Sequence, residues 1–260
     1  MGRTYACADL HGQWGLWEQI KQYLQSDDRL YFLGDAIDRG PHGYEIMKEL
    51  LSDSRVTYIK GNHELMMEEA IREMSHIQYD DTTYMGEKYH LWAWNGGAPT
   101  IAAWEEAGAH YDITTVLHQL STKETYINAE GYEVCLCHAG FTPGNEPFWT
   151  YDMVWNREHL LQKIPDKYKH GNFIVVHGHT PTPYLLMDMD QRNRELVAFY
   201  ADKCETQAIP QYDYIENNGA VFYGDGTKID IDCCSFATGH TVLLDLDSWR
   251  TIPFDADIEE

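Results

Sequence analysis

Short runs of β-branched and aromatic residues alternate with helical patterns along the first part of the chain. Thr4 to Ala8 reads as a strand, Leu16, Trp17, Ile20, Tyr23 and Leu24 recur at helical spacing, and Leu30 to Leu33 reads as a second strand. Tyr44, Met47, Leu50 and Leu51 give another helical period, followed by a strand at Val56 to Ile59 and a Met- and Glu-rich helix from Glu64 to about Met74. This βαβαβ order predicts neighbouring parallel strands with helical crossovers, and ligands gathered outside the carboxyl ends of the strands.

From about Ser75 to Glu130 the pattern changes to helices and loops rich in Trp and Tyr, without strand alternation, and is read as an insertion within one domain. Strands resume at Tyr132 to Cys137 and Phe173 to Val176. Leu196 to Tyr200, Ala220 to Tyr223, Ile229 to Asp232 and Thr241 to Leu246 then read as short strands joined by Asn-Asn-Gly and Gly-Asp-Gly turns, which predicts a second, more antiparallel sheet. The end, Asp255 to Glu260, reads as a frayed acidic tail.

Composition narrows the functional classes. At 260 residues the chain corresponds to one large domain, or one carrying an insertion, on a scale of roughly 150 residues per domain. Its 42 acidic and 19 basic residues give a formal charge of -23, which argues against a broad electrostatic grip on nucleic acid or anionic lipid. Any anionic ligand must therefore be held locally. No long apolar run and no leader-like pattern occurs, so a cytoplasmic protein without a membrane partner is expected. None of the six cysteines forms a C-x-x-C pair, and a disulfide scaffold is not indicated. Cys135 and Cys137 share one face of a strand, as core residues or as metal ligands, while Cys233 and Cys234 read as buried thiols or an oxidation-sensitive pair.

The polar residues just after each strand carry the candidate chemistry. Asp9-Leu10-His11-Gly12 follows the first strand, Gly34-Asp35-Ala36-Ile37-Asp38-Arg39-Gly40 the second and Gly61-Asn62-His63-Glu64 the third. His138 follows the strand ending at Cys137, and Gly178-His179-Thr180-Pro181 the strand Phe173 to Val176. A lone Asp in such a place is usually a helix cap or turn former, but five strand ends presenting Asp, His, Asp, Asn, His and His are not five caps. Mixed carboxylate, imidazole and amide ligands suit first-row divalent ions such as manganese, iron or zinc, and two ions are the natural count because one carboxylate can bridge.

These segments, with Trp92-Ala93-Trp94-Asn95-Gly96-Gly97, Cys137-His138-Ala139 and Val154-Trp155-Asn156-Arg157-Glu158, resemble the phosphoprotein phosphatase family of dinuclear metallophosphoesterases, in its small bacterial and phage type. The resemblance runs from about residue 4 to 246. It implies a calcineurin-like metallophosphoesterase fold of α/β class: a two-sheet β-sandwich flanked by helices, with an inserted helical region at about 75–130 of a single domain spanning 1–260. Position by position, it implies that Asp9, His11 and Asp35 bind one metal and that Asp35, Asn62, His138 and His179 bind the second. It further implies His63 as the general acid, Asp38 as the carboxylate orienting it, and Arg39, Arg157 and Asn62 as phosphate ligands. Ala8, Ala139 and Cys234 stand where the family favours glycine or small residues.

The function implied is hydrolysis of phosphomonoesters, by direct in-line attack of a hydroxide shared between two divalent ions, manganese foremost and iron or zinc as alternatives. Counting two ions, Asp9, Asp35, the two arginines and one hydroxide leaves a pocket of roughly +3 on an anionic protein. A serine/threonine protein phosphatase is the first expectation, acting on phosphorylated protein or small phosphoesters. A dinucleoside polyphosphate hydrolase of the diadenosine tetraphosphate type is the alternative, and a catalytically silent metal-binding partner module the second. Arg157 reads by default as a surface ion-pair partner, His177 as a neighbour of the site or a core histidine, and the Trp-rich stretch as packing or as a wall of the substrate groove.

Overall fold

The computed structural model describes residues 2–76, 86–140, 150–160, 164, 172–186, 215–224 and 226–259. Its strands are β1 (Thr4–Cys7), β2 (Arg29–Phe32), β3 (Val56–Tyr58), β4 (Lys123–Ile127), β5 (Glu133–Cys137), β6 (Phe173–His177), β7 (Ile215–Asn217), β8 (Ala220–Tyr223), β9 (Lys228–Asp230), β10 (His240–Asp245) and β11 (Thr251–Asp255). The helices used below are α1 (Trp14–Tyr23), α2 (Gly43–Ser52), α3 (Asn62–His76), α4 (Glu87–Trp92), α5 (Ala98–Glu106) and α6 (Ile113–Gln119).

Alternation along the strands decides the layering. Tyr5 and Cys7 of β1 and Leu243 of β10 face a core shared with helices, whereas Ala6, Val242 and Leu244 face a second core between two sheets. Successive side chains point to opposite faces, so a strand apolar on both sides must lie between two layers. The first sheet has the order β11-β10-β1-β2-β3 and the second β4-β5-β6-β9-β8-β7. β1, β2 and β3 are parallel, with Tyr5 opposite Leu30 and Leu30 opposite Val56, as the βαβαβ order predicts. Leu16, Trp17 and Ile20 of α1, Ile46, Met47 and Leu50 of α2, and Met66, Met67 and Ile71 of α3 cover one face of this sheet. Burying each such side chain is worth about 1.5–3 kcal/mol. Val134, Leu136, Ile174, Val176 and Ile229 of the second sheet close on the other face.

Several expectations are corrected. The stretch read as strand-free contains β4, an edge strand antiparallel to β5 whose residues are half-buried or exposed, which hides it from an apolar-alternation test. The same stretch supplies Trp92, Ile101, Trp104 and Leu117 to the helical core. The last strands do not all join one sheet: β7, β8 and β9 enter the second, but β10 pairs antiparallel with β1 in the first, and β11 lies outside it. β11 carries Pro253, which an edge strand tolerates because the missing donor faces outward. The Asn-Asn-Gly turn does join β7 to β8, with Asn218 and Gly219 both at positive φ (52° and 92°), as a tight hairpin requires.

The acidic end is not frayed as far as Glu259. Gln13 gives α1 no side-chain cap, and the Glu259 carboxylate instead accepts the Trp14 N–H at 2.6 Å while its N–H donates to the Gln13 side chain at 2.9 Å. Cys135 and Cys137 pack with Met153, Ile164 and Val175, a core role. The strand expected at 196–200 and Cys204 lie outside the described residues. Among the described residues no helix is long and apolar enough to cross a membrane.

Candidate metal centre

The loops after β1 and β2 are stitched together: Asp9 N–H donates to Gly34 O, His11 N–H to Asp35 O and Gly12 N–H to Ala36 O, at 2.9–3.0 Å. The loops after β5 and β6 join through Gly178 N–H to His138 O at 2.8 Å. Of the ten described non-glycine residues at positive φ, six are Asp9, His11, Asp35, Asp38, Arg39 and His179. Left-handed backbone at such residues costs about 1–3 kcal/mol each and persists where the surroundings over-determine it. The surroundings here include close approach of carboxylates to glycine backbone. A β-carbon at Gly61 would stand 2.1 Å from Asp35 Oδ1, and one at Gly178 2.0 Å from Asp9 Oδ2.

Two buried donor sets share Asp35. One comprises His11, Asp35 and His63, the other Asp35, His138 and His179, each with its ligand atoms within 4.8 Å of one another. Asn62 belongs to the second: its Oδ1 lies 2.9 Å from His138 Nε2 and 2.8 Å from His179 Nδ1. His138 Nδ1 bonds Leu33 O at 2.7 Å and His11 Nδ1 bonds Ile37 O at 2.9 Å, which leaves Nε2 of each ring turned to the site. Asp9 stands outside both compact sets; its carboxylate accepts the His179 N–H at 3.2–3.3 Å.

Electrostatics follow from burial and crowding. Burial opposes ionisation of Asp35, but His138 and His63 outweigh it and hold the carboxyl well below its usual range. Asp9 is pushed well up by burial and by the like charges of Asp232 and Asp35. Burial, Arg39 and His63 keep His11 neutral-leaning, and burial, His138 and Arg157 do the same for His179. His63 moves the other way: Asp35 and Asp38 overcome its burial and raise its pKa.

His63 Nδ1 sits 2.6 Å from Asp38 Oδ2, and His63 Nε2 is 3.8 Å from Asp35 Oδ2 and 3.3 Å from Arg39 Nη2. Arg39 Nη1 reaches His11 Nε2 at 2.8 Å. Arg157 is half-buried and is close enough to His179 to depress that ring's pKa. His177 is a buried core histidine, bonded through Nδ1 to Gly178 O and through Nε2 to the Tyr223 hydroxyl, and burial lowers its pKa to about 3.

Three contacts around the site have no counterpart in the motif reading. Glu64 accepts the N–H groups of Asp35, Ala36 and Gly61; an acid just inside a helix start that reaches back to the preceding backbone is a capping signal, visible in Gly61-Asn62-His63-Glu64. Trp92 Nε1 donates to both oxygens of Asp38 at 3.0 Å. Phe236 lies under the Arg39 guanidinium at 4.4 Å and edge-on to His11 at 5.6 Å.

The donors fit divalent ions. Buried carboxylates crowded by like charge, together with a buried His179 Nε2 that has no hydrogen-bond partner among the described residues, are what a cation relieves. The description "Calcineurin-like phosphoesterase" matches residues 2–225. The chain is 26% identical over 191 residues to the symmetrical bis(5'-nucleosyl)-tetraphosphatase of Coxiella burnetii (strain RSA 331 / Henzerling II), covering 68% of this chain and 65% of that protein, slightly under two thirds of the relative's length. It is 25% identical over 186 residues to serine/threonine-protein phosphatase 1 of Salmonella typhimurium (strain LT2), covering 68% and 78% respectively. A solved structure described as a presumed diadenosine tetraphosphatase superposes with a TM-score of 0.55 at 15% identity, covering 98% of this chain and 94% of that one, a likeness of fold. Two mixed sheets in a sandwich, strand-end donors sharing Asp35 and a match over most of the sequence agree: the chain belongs to the calcineurin-like phosphoesterase family.

Proposed function

We propose that this phosphoesterase is a metal-dependent phosphomonoester hydrolase acting on phosphoserine and phosphothreonine in proteins. In this reading Asp9, His11 and Asp35 hold one divalent ion, and Asp35, Asn62, His138 and His179 the other, with manganese the first ion to load and iron or zinc the alternatives. When bound, the ions supply an acidified water as nucleophile and positive charge against the phosphoryl oxygens. Arg39, Arg157 and Asn62 bind the phosphate, and both guanidinium groups offset charge that builds up on it.

The observation that carries this reading is the 2.6 Å bond between His63 Nδ1 and Asp38 Oδ2. With Nδ1 engaged, Nε2 is the atom that delivers a proton to the departing oxygen. An alkoxide leaves poorly, so a positioned acid is worth roughly 10²–10⁴ in rate for serine and threonine esters. The Asp38 carboxylate at Nδ1 favours the protonated ring.

A second reading, cleavage of dinucleoside polyphosphates, is favoured by one feature. Tyr151 stacks on Trp155 with ring centres 5.9 Å apart, and Trp155 stands edge-on to His179 at 6.1 Å, an aromatic surface beside the site on which a base can stack. Protein loaded with manganese, with Asp35→Asn as control, separates the readings. Phosphate release from phosphopeptides supports the first, and preferential cleavage of diadenosine tetraphosphate supports the second. Ion binding without hydrolysis of any phosphate ester overturns both in favour of a silent binding module.

A further inference from the structure

We infer that Trp92 is a positioning residue for the His63 acid: its indole N–H fixes the Asp38 carboxylate in the orientation that fixes the imidazole. The inference rests on the role proposed above for His63. Trp92 Nε1 lies 3.0 Å from Oδ1 and 3.0 Å from Oδ2 of Asp38, and Oδ2 is also the partner of His63 Nδ1 at 2.6 Å. Trp92, Asp38 and His63 are all essentially excluded from solvent. A charged acceptor in such surroundings binds its donors strongly, and a carboxylate that lost one of them would be free to turn about its terminal torsion.

The indole does not act alone. Asp38 and Arg39 both sit in the left-handed region (φ 71° and 68°), and the stretch from Trp92 to Thr100 holds each by its backbone. Asp38 N–H donates to Thr100 Oγ1 at 2.9 Å, and Arg39 N–H donates to Gly96 O at 2.8 Å. Gly97 makes room for the ring, since a β-carbon there would stand 2.7 Å from Trp92 Cδ1 and Nε1. An indole N–H needs only some acceptor when buried. Here the acceptor is the one carboxylate already committed to the candidate acid, so the Trp-rich segment does more than fill space. It sets the direction of a group 54 residues away in sequence.

The test is Trp92→Phe, which keeps a ring in the core and removes the N–H. The expected result is a fall of about tenfold or more in kcat on phosphoserine peptides, with a much smaller change on p-nitrophenyl phosphate and KM unchanged for both. Ile101→Val, which thins the same helical core and removes no hydrogen-bond donor to Asp38, is expected to keep the wild-type ratio of the two rates. Equal losses on both substrates overturn the inference.

A second measurement does not depend on turnover or on Trp92→Phe folding. In the metal-free protein the Trp92 indole proton is expected downfield, and Asp38→Asn is expected to move it. An indole resonance that ignores Asp38→Asn overturns the inference even in an active enzyme. Wild-type protein that hydrolyses no phosphate ester overturns the proposed function and leaves this magnetic resonance test standing.

Discussion

Glu64 holds Asp35 from the backbone side: its Oε2 accepts the Asp35 N–H at 2.9 Å, and the same carboxylate takes the N–H groups of Ala36 and Gly61 and the hydroxyl of Tyr58. Four donors thus converge on one buried side chain, and three of them belong to the two loops that present Asp35 and Asn62. Glu64→Gln replaces an acceptor oxygen with an amide that faces N–H donors. Groups that support metal ligands typically cost about 10–100-fold in metal affinity when altered. The expected outcome is a loss of that size in manganese affinity by calorimetric titration, and unchanged affinity would show that the Asp35 turn holds itself.

The stacking of Arg39 on Phe236 predicts a different signature. At 4.4 Å the ring supports the guanidinium by cation–π attraction, worth about 0.5–2 kcal/mol. Phe236→Leu keeps bulk and loses the π face. A severalfold rise in KM for phosphate esters is expected with a smaller fall in kcat, because Arg39 is then less well placed both to bind the phosphate and to offset the charge that builds up on it. A fall in kcat at constant KM would contradict it.

The proton role of His63 is separable by leaving group. His63→Asn is expected to slow alkyl phosphate hydrolysis by roughly 10²–10⁴ and aryl phosphate hydrolysis far less, since a phenolate departs without help. Initial rates on a phosphoserine peptide and on p-nitrophenyl phosphate measure the difference. Equal losses would remove His63 from the acid role.

Much of this was legible in the chain because it is local. Strand periodicity and the polar residues directly after each strand depend on neighbours in sequence, so the strand ends of both sheets that carry His11, Asp35, Asn62, His138 and His179 are legible from the chain. The contacts that escaped are long-range. Nothing near Trp92 says that its indole meets Asp38, and nothing in Thr241 to Leu246 says that β10 pairs with β1 rather than β9. β4 escaped for another reason: Lys123-Glu124-Thr125-Tyr126-Ile127 lies on an edge, where no face is fully buried and the alternation that marks a strand is weak. The compact set of His11, Asp35 and His63, with Asp9 turned to the His179 N–H, is a matter of side-chain direction that spacing does not encode.

Stability at low pH has a specific contributor at the turn into β3. Asp53 accepts the Arg55 backbone N–H at 2.9 Å and its guanidinium at 2.6–3.2 Å, and Arg55 also reaches Leu24 O, tying the end of α2 to the end of α1. Both side chains are about four-fifths covered, and the bonds from Arg55 lower the Asp53 pKa despite its partial burial. A carboxyl whose folded pKa is depressed gives up fewer contacts as an anion than as an acid. Its contribution is therefore complete above the ordinary aspartate range near 3.9 and is lost as pH falls through the lower folded value. Asp53→Asn is expected to lower unfolding free energy by about 1 kcal/mol at pH 7, and the gap between variant and wild type is expected to narrow as the pH is taken below the ordinary aspartate range. Urea unfolding at the two pH values checks both; a gap independent of pH would assign the effect to packing instead of charge.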